Sequence, residues 1–178
     1  KRVRIMWVVI KIDQKKFKFL LKDLKKKLGS DFAIYNPKLQ IQTYKNNKLI
    51  EKEFNLLEDY LFCFHKKLND KKIVNTLQYC KGLKYILNGF FQSQPEINNF
   101  IERCKKSETG NGYLSQDFFK ININSKFQFI SGPFTNTIFK IIEIQKNKIK
   151  VLMGNLKTTI NKKEFLFNKI PLIIRSGI

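Results

Sequence analysis

Cysteine is scarce: Cys63, Cys80 and Cys104 are the only three in 178 residues, and no two stand at CxxC spacing. An odd count without that spacing fits neither a disulfide framework nor a zinc site. Cys63 lies inside the apolar run Tyr60–Phe64 and is expected to be a buried free thiol, at home in a reducing cytoplasm. Histidine is reduced to His65, which has no cysteine or acid pair at ligand spacing and is expected to be a surface residue at a strand end. No apolar run approaches the ~20 residues of a membrane span, so no membrane association is expected. The chain begins without Met and no signal peptide is read there. Alanine is almost missing, with Ala33 alone. Acidic residues are outnumbered by basic ones, 14 to 35, for a formal charge of +21.

What is abundant is Phe, with 17 residues, together with Lys, Asn and Ile. Hydrophobic residues make up 43%, enough for a packed core and too many for a disordered chain. The positive charge is spread along the chain: residues 1–105 carry 23 Lys/Arg against 10 Asp/Glu, and residues 106–178 carry 12 against 4. Such a field attracts polyanions, although a Lys-biased composition alone would produce part of it. No phosphate-binding loop, nucleophile elbow or metal motif is present. The one acidic pair, Glu58-Asp59, would point to opposite faces of a strand and could not flank a substrate together. Neither an enzyme nor a cofactor is expected.

Residues 3–12 alternate as a strand with apolar residues on both faces, which predicts cover on both sides. Asp13 or Gln14 can open a helix, Phe17, Leu20, Leu21, Leu24 and Leu28 follow at helical spacing, and Gly29 can stop it. Tyr35-Asn36-Pro37 reads as a break. Residues 38–45 and 48–56 read as a hairpin turned by Asn46-Asn47, which tolerate the left-handed region. Tyr60–Phe64 is a central strand, and Asp70 caps a helix over about 71–79. Leu83–Leu87 is a further apolar stretch. Ser93, Pro95 and Glu96 open a helix with Ile97, Phe100 and Ile101 on one face. Residues 105–117 lose apolar anchors and read as a linker. Short strands follow at 127–130, 137–144, 148–153, 156–160 and 165–167, the pattern of a small barrel. Ten β-branched residues between Thr137 and Ile160 favour strands there over a helical hairpin.

The order of these elements, with "MWVVIKI", "IYNP", "LLEDYLFCF", "LKYILNG", "SQPEINNFI" and "SKFQFISGPFTNTIFKIIEI", resembles the NusG family of transcription elongation factors from about residue 5 to 170. The resemblance implies an α+β chain: an N-terminal NGN-type α/β sandwich with a mostly antiparallel sheet (1–105), a flexible linker (106–117) and a C-terminal small SH3-like β-barrel, the KOW domain (118–178). It departs from the family at Glu58-Asp59, where Pro-Gly is usual, and at Phe139, where the KOW motif usually has Gly.

By that resemblance, Trp7, Leu57, Tyr60, Leu87 and Phe90 would form an apolar patch docking on the clamp helices of RNA polymerase. For Trp7 a place in the core is an equal alternative. Lys45, Asn46, Asn47 and Lys48 at the hairpin tip would reach nucleic acid. The lysines along the first helix read either as steering charges or, more simply, as a solvated face. Phe134, Phe139, Met153, Gly154 and Asn155 would meet a partner of the KOW domain, a ribosomal protein or the termination factor Rho. Phe134 could equally be core. The implied function is that of a cytoplasmic, monomeric elongation or antitermination factor. An operon-specific or phage-encoded paralogue and a KOW-type ribosome-associated RNA-binding protein are the alternatives.

Overall fold

The computed structural model describes residues 6–170, with only the backbone described at Thr43 and Tyr44. The expected start of the first strand at residues 3–5 lies outside the described residues. The chain separates into two compact units: Lys1–Pro37 with Asn55–Arg103, and Lys38–Phe54 with Cys104–Ile178.

The first unit opens with β1 (Trp7–Ile12). Asp13 then accepts a hydrogen bond from the Lys15 amide (3.0 Å) and starts a 3-10 turn, Gln14–Lys16, that runs into α1 (Phe17–Leu28). The apolar spacing places Leu20, Leu24 and Leu28 in the core, and Gly29 ends the helix at φ 109°. A three-residue strand, β2 (Ala33–Tyr35), precedes the Pro37 break and was hidden by it in the sequence. After the hairpin described below come β5 (Tyr60–Phe64), α2 (Lys71–Leu77) capped by Asp70, β6 (Leu83–Ile86) and α3 (Gln94–Ser107). The sheet is antiparallel with strand order β2-β5-β1-β6.

One face of β1, Val8, Ile10 and Ile12, is fully buried. The other, Trp7, Val9 and Lys11, is only half-buried. The expectation of cover on both sides therefore holds for one face alone, and the apolar excess of the other is left for something else.

Cys63, Cys80 and Cys104 are all buried, and none is in a disulfide. Burial pushes the Cys63 thiol up to about 12, and Cys80 adds to the effect. Thiolates are the reactive form, so a maleimide or disulfide reagent at neutral pH should leave Cys63 unmodified in the folded protein and label it in denaturant. Because the unfolded thiol ionises near ~8.5 and the folded one does not, this group makes the folded state progressively less stable as pH rises from there towards 12. Rapid labelling of native Cys63, read by mass spectrometry, would contradict this.

The second unit contains the hairpin of β3 (Lys38–Lys45) and β4 (Lys48–Asn55), whose last residue, Asn55, belongs to the first unit. Asn46 and Asn47 turn it at φ 51° and 58°, as their tolerance of the left-handed region predicts. The sequence reading counted this hairpin with the N-terminal domain, yet its backbone is hydrogen-bonded within the second unit. Gln42 N–H donates to the Ile130 carbonyl (2.7 Å) and the Lys38 carbonyl accepts from Leu114 N–H (2.8 Å).

The stretch expected to be a flexible linker, 106–117, is built into the same unit. Leu114, Ser115 and Gln116 are buried, Glu108 pairs with Leu114, and Gln116 accepts from the Phe167 amide across 51 positions (2.8 Å). A 3-10 turn, Gln116–Phe118, follows. Local composition could not show this, because the partners that hold the segment lie far away in sequence.

β7 (Lys126–Phe129), β8 (Ile138–Ile144), β9 (Lys148–Met153), β10 (Leu156–Asn161) and β11 (Phe167–Lys169) form one antiparallel sheet in the order β10-β9-β8-β7-β11. Its core is aromatic: Phe139 stacks on Phe129 at 4.1 Å and on Phe127 at 5.9 Å, with Phe167 edge-on to both Phe127 and Phe139. Phe139 is 2% exposed. Its expected role as a partner contact is corrected here, since alternation along β8 turns Phe139 and Ile141 inward.

Candidate functional site

The half-covered face of the first sheet carries an apolar groove. Register across β5, β1 and β6 sets Lys11 between Tyr60 and Tyr85, and Val9 beside Phe62. Leu87 continues the row past β6, its N–H donating to the Val9 carbonyl (2.8 Å). Ile97 and Phe100 of α3 form the opposite wall, with Phe100 5.8 Å from Phe62, and Leu57 and Glu96 complete the rim. The cavity measures about 540 Å³.

One margin of this face is wet. Tyr60 and Tyr85 share a hydrogen bond between their hydroxyls (2.6 Å), and the Lys11 ammonium sits 4.9 Å and 5.7 Å from their rings. The Tyr85 bond holds the Tyr60 hydroxyl below the usual tyrosine range and its counterpart holds Tyr85 above it. Lys11 is raised, chiefly by its hydrogen bond with Tyr60. Asp59 meets Lys84 at 3.4 Å beside them. An apolar floor with amphipathic aromatics at the edge suits the apolar stripe of a helix.

Of the residues expected in a docking patch, Leu57, Tyr60 and Leu87 line this groove. Trp7 does not line it. Its ring packs between Phe62 (6.4 Å) and Phe64 (5.2 Å), while its N–H and carbonyl are both bonded to the Gln94 amide. Phe90 is displaced too. It is 8% exposed, packs tilted against Phe91 at 4.3 Å, and lines a separate cavity with Lys71 and Val74. The turn at Gly89, φ 83°, parts it from Leu87. Sequence reading missed Val9, Phe62, Ile97 and Phe100 as groove residues. The helical apolar face carrying Ile97 and Phe100 was visible; that it stops short of covering the sheet was not.

Glu58-Asp59 stands in a turn between β4 and β5. Glu58 adopts φ 53°, and Tyr60 N–H closes on the Leu57 carbonyl at 2.9 Å. His65, expected at the surface, is 1% exposed. Its Nε2 meets Asp31 at 3.0 Å and its Nδ1 accepts from the Lys67 amide at 3.1 Å, which places the proton on Nε2. That bond is the main reason the Asp31 carboxyl lies below its ordinary range. The pair fastens the end of β5 to the loop after α1, which is a structural role.

Lys45, Asn46, Asn47 and Lys48 all stand exposed at the hairpin tip. Along the first helix Lys15, Lys16, Lys18, Lys22, Lys25 and Lys26 face solvent. In the second unit Phe134 is half-buried between Phe129 (5.7 Å) and Phe165 (5.9 Å), and Met153 is packed against the same core. Gly154 (φ 56°) and Asn155 form the exposed turn between β9 and β10. Leu156, 60% exposed beside that turn, was not singled out in the sequence. Among the described residues no three His, Cys, Asp or Glu side chains gather to hold a metal ion, and no helix is long and apolar enough to cross a membrane.

No protein-family model matches the chain, and no curated protein matches it. Solved structures do. A Thermotoga maritima NusG structure is 14% identical over 89% of this chain and 93% of that one, with a TM-score of 0.36. The MjSpt4:Spt5 complex in conformation B is 14% identical over 93% and 97%, TM-score 0.28. Its conformation A is 13% identical over 93% and 98%, TM-score 0.27.

Proposed function

We propose that this chain is a non-enzymatic, cytoplasmic transcription elongation or antitermination factor that binds RNA polymerase through the groove of its first unit. The observation carrying the proposal is the groove itself, an apolar channel between α3 and the β5-β1-β6 face, lined by Leu57, Tyr60 and Leu87. The sequence resemblance assigns those three residues to contact with the polymerase clamp helices, and a helix is the partner whose stripe such a channel accepts. Binding there favours the closed, processive clamp, because a ligand shifts an equilibrium by its differential affinity for the two states. The second unit recruits a further partner, a ribosomal protein or Rho, at the Met153–Leu156 turn.

A specialised, operon-specific or phage-encoded role fits better than a general one. Glu58-Asp59, in a turn where Glu58 has φ 53°, and the buried Phe139 both replace residues usual in the family the sequence resembles.

Tyr60 is half-buried at the groove edge, so Tyr60→Ala should weaken binding to purified RNA polymerase by about 1–3 kcal/mol, roughly five- to 150-fold. The melting temperature should change little. Equal affinity of the mutant and wild-type chains would remove Tyr60 from the site, and no binding by wild type would remove the function.

A further inference from the structure

The cavity beside Phe90 runs along the outer edge of the first sheet. β6 is the last strand in the order β2-β5-β1-β6, so no strand of that sheet lies beyond it. Lys84, Tyr85 and Ile86 all line the cavity. Side chains of consecutive strand residues alternate between the two faces, so three in a row meet one cavity only along the strand's edge. Among the described residues none of β1 lines it. The far wall is α2, through Lys71, Val74 and Gln78 at successive turns. The volume, about 480 Å³, holds a few residues of chain.

The backbone on this edge is set to pair. Leu87 turns its N–H inward to the Val9 carbonyl (2.8 Å). Backbone groups alternate between the two edges of a strand, so Ile86, directly opposite Ile10, turns its own N–H and carbonyl outward. Val74, Ile86 and Phe90 supply the apolar part of the cleft, and the side-chain amides of Gln78, Asn88 and Gln92 stand around it. Lys71 and Lys84 line it and no acid does. The Lys71 ammonium rests over the Phe91 ring at 5.6 Å. A lysine on a free edge repels basic strands, other copies of this +21 chain among them, and admits an acidic one.

We infer that this cleft takes an extended, acidic peptide segment of a partner protein, which joins the four-stranded sheet at β6 as a fifth strand. The segment exchanges both backbone bonds with Ile86, sets an apolar side chain against Val74 and Phe90, and brings carboxylates to Lys71 and Lys84. A helix keeps its backbone bonds to itself and has no use for the edge. The cleft is therefore a different site from the groove walled by α3, and it calls for a different shape of partner.

The test uses the full chain and a fluorescein-labelled peptide of alternating Glu and Val, about eight residues long, followed by anisotropy. This peptide should bind, and one of alternating Lys and Val should not. Its fully N-methylated form keeps every side chain and charge but has no N–H to donate, and it should bind at least about tenfold more weakly. In NMR hydrogen exchange the Ile86 amide should slow when the peptide is added, and the Tyr85 amide, which already faces β1, should change little. Lys71 is exposed, so Lys71→Glu should weaken the peptide several-fold while leaving the melting temperature unchanged. Equal affinity of the N-methylated form, equal binding of the Lys peptide, or an Ile86 amide that exchanges as fast with the peptide as without it would each overturn the assignment. So would a Glu–Val peptide that fails to bind at millimolar concentration. A thymidine oligonucleotide that slows Ile86 exchange as the peptide does would give the cleft to nucleic acid instead.

Discussion

Replacing Phe139 by glycine, the residue usual at this place in the family the sequence resembles, should unfold the second unit rather than relax it. Phe139 is central to the aromatic core, stacked on Phe129 and Phe127 and met edge-on by Phe167. Its backbone is part of β8 and does not have a positive φ, so nothing there requires glycine. Removing a buried Phe side chain costs about 3–5 kcal/mol, and glycine in a strand adds up to ~1. A domain has only about 5–15 kcal/mol of stability in all. Urea unfolding should show the transition of this unit moved close to zero denaturant, while the first unit melts as before. A mutant as stable as wild type would mean that β8 turns here and that the stacked core is wrong.

The corresponding weak point of the first unit is Gly82. It leads into β6 at φ 93°, and its carbonyl accepts from the Asp13 amide (2.8 Å), fixing the entry to α1. A Cβ added there would lie 2.8 Å from the Lys16 carbonyl oxygen and 2.9 Å from the Lys16 Cβ. The obstacle is mainly backbone at the start of a helix, which cannot swing aside. Gly82→Ala should therefore cost the ~1–3 kcal/mol of a side chain held in that region of φ, with the steric overlap on top. The expected result is a lower melting temperature for the first unit. Gly89→Ala is the matched control, since it shares a positive φ (83°) but would meet nothing within 4 Å. If the two variants melted alike, the Lys16 contact would carry no weight.

The readable parts of this molecule are those governed by neighbours in sequence. The Leu20, Leu24, Leu28 stripe, the Asn46-Asn47 turn and the Asp70 cap follow from local spacing and side-chain chemistry, and the structure has each where expected. What escaped depends on distant partners. His65 reads as polar and exposed until Asp31, 34 positions away, is seen to accept from it. The 106–117 segment reads as a linker until Lys38 and Phe167 are found holding it. In the groove, Leu57, Tyr60 and Leu87 came from a resemblance. Trp7 and Phe90, drawn from the same source, pack elsewhere because aromatic neighbours claim them. Phe139 also came from the resemblance, and alternation along β8 turns it inward with Ile141.

The hairpin also sets an order of events during synthesis. Residues 38–54 leave the ribosome before any of 104–170 has been made, at about 5–20 residues per second. For that interval the nascent chain carries a two-stranded ribbon, which is marginal by itself. Leu49 and Phe54 are 45% and 46% exposed even in the finished fold. The charges along the ribbon, Lys45, Lys48, Glu51, Lys52 and Glu53, discourage its edges from pairing with another chain in the meantime. A ribosome stalled before Cys104 would release a first unit able to fold and a ribbon with nothing to fold onto, so the burden of aggregation in truncated chains falls on this early-made segment.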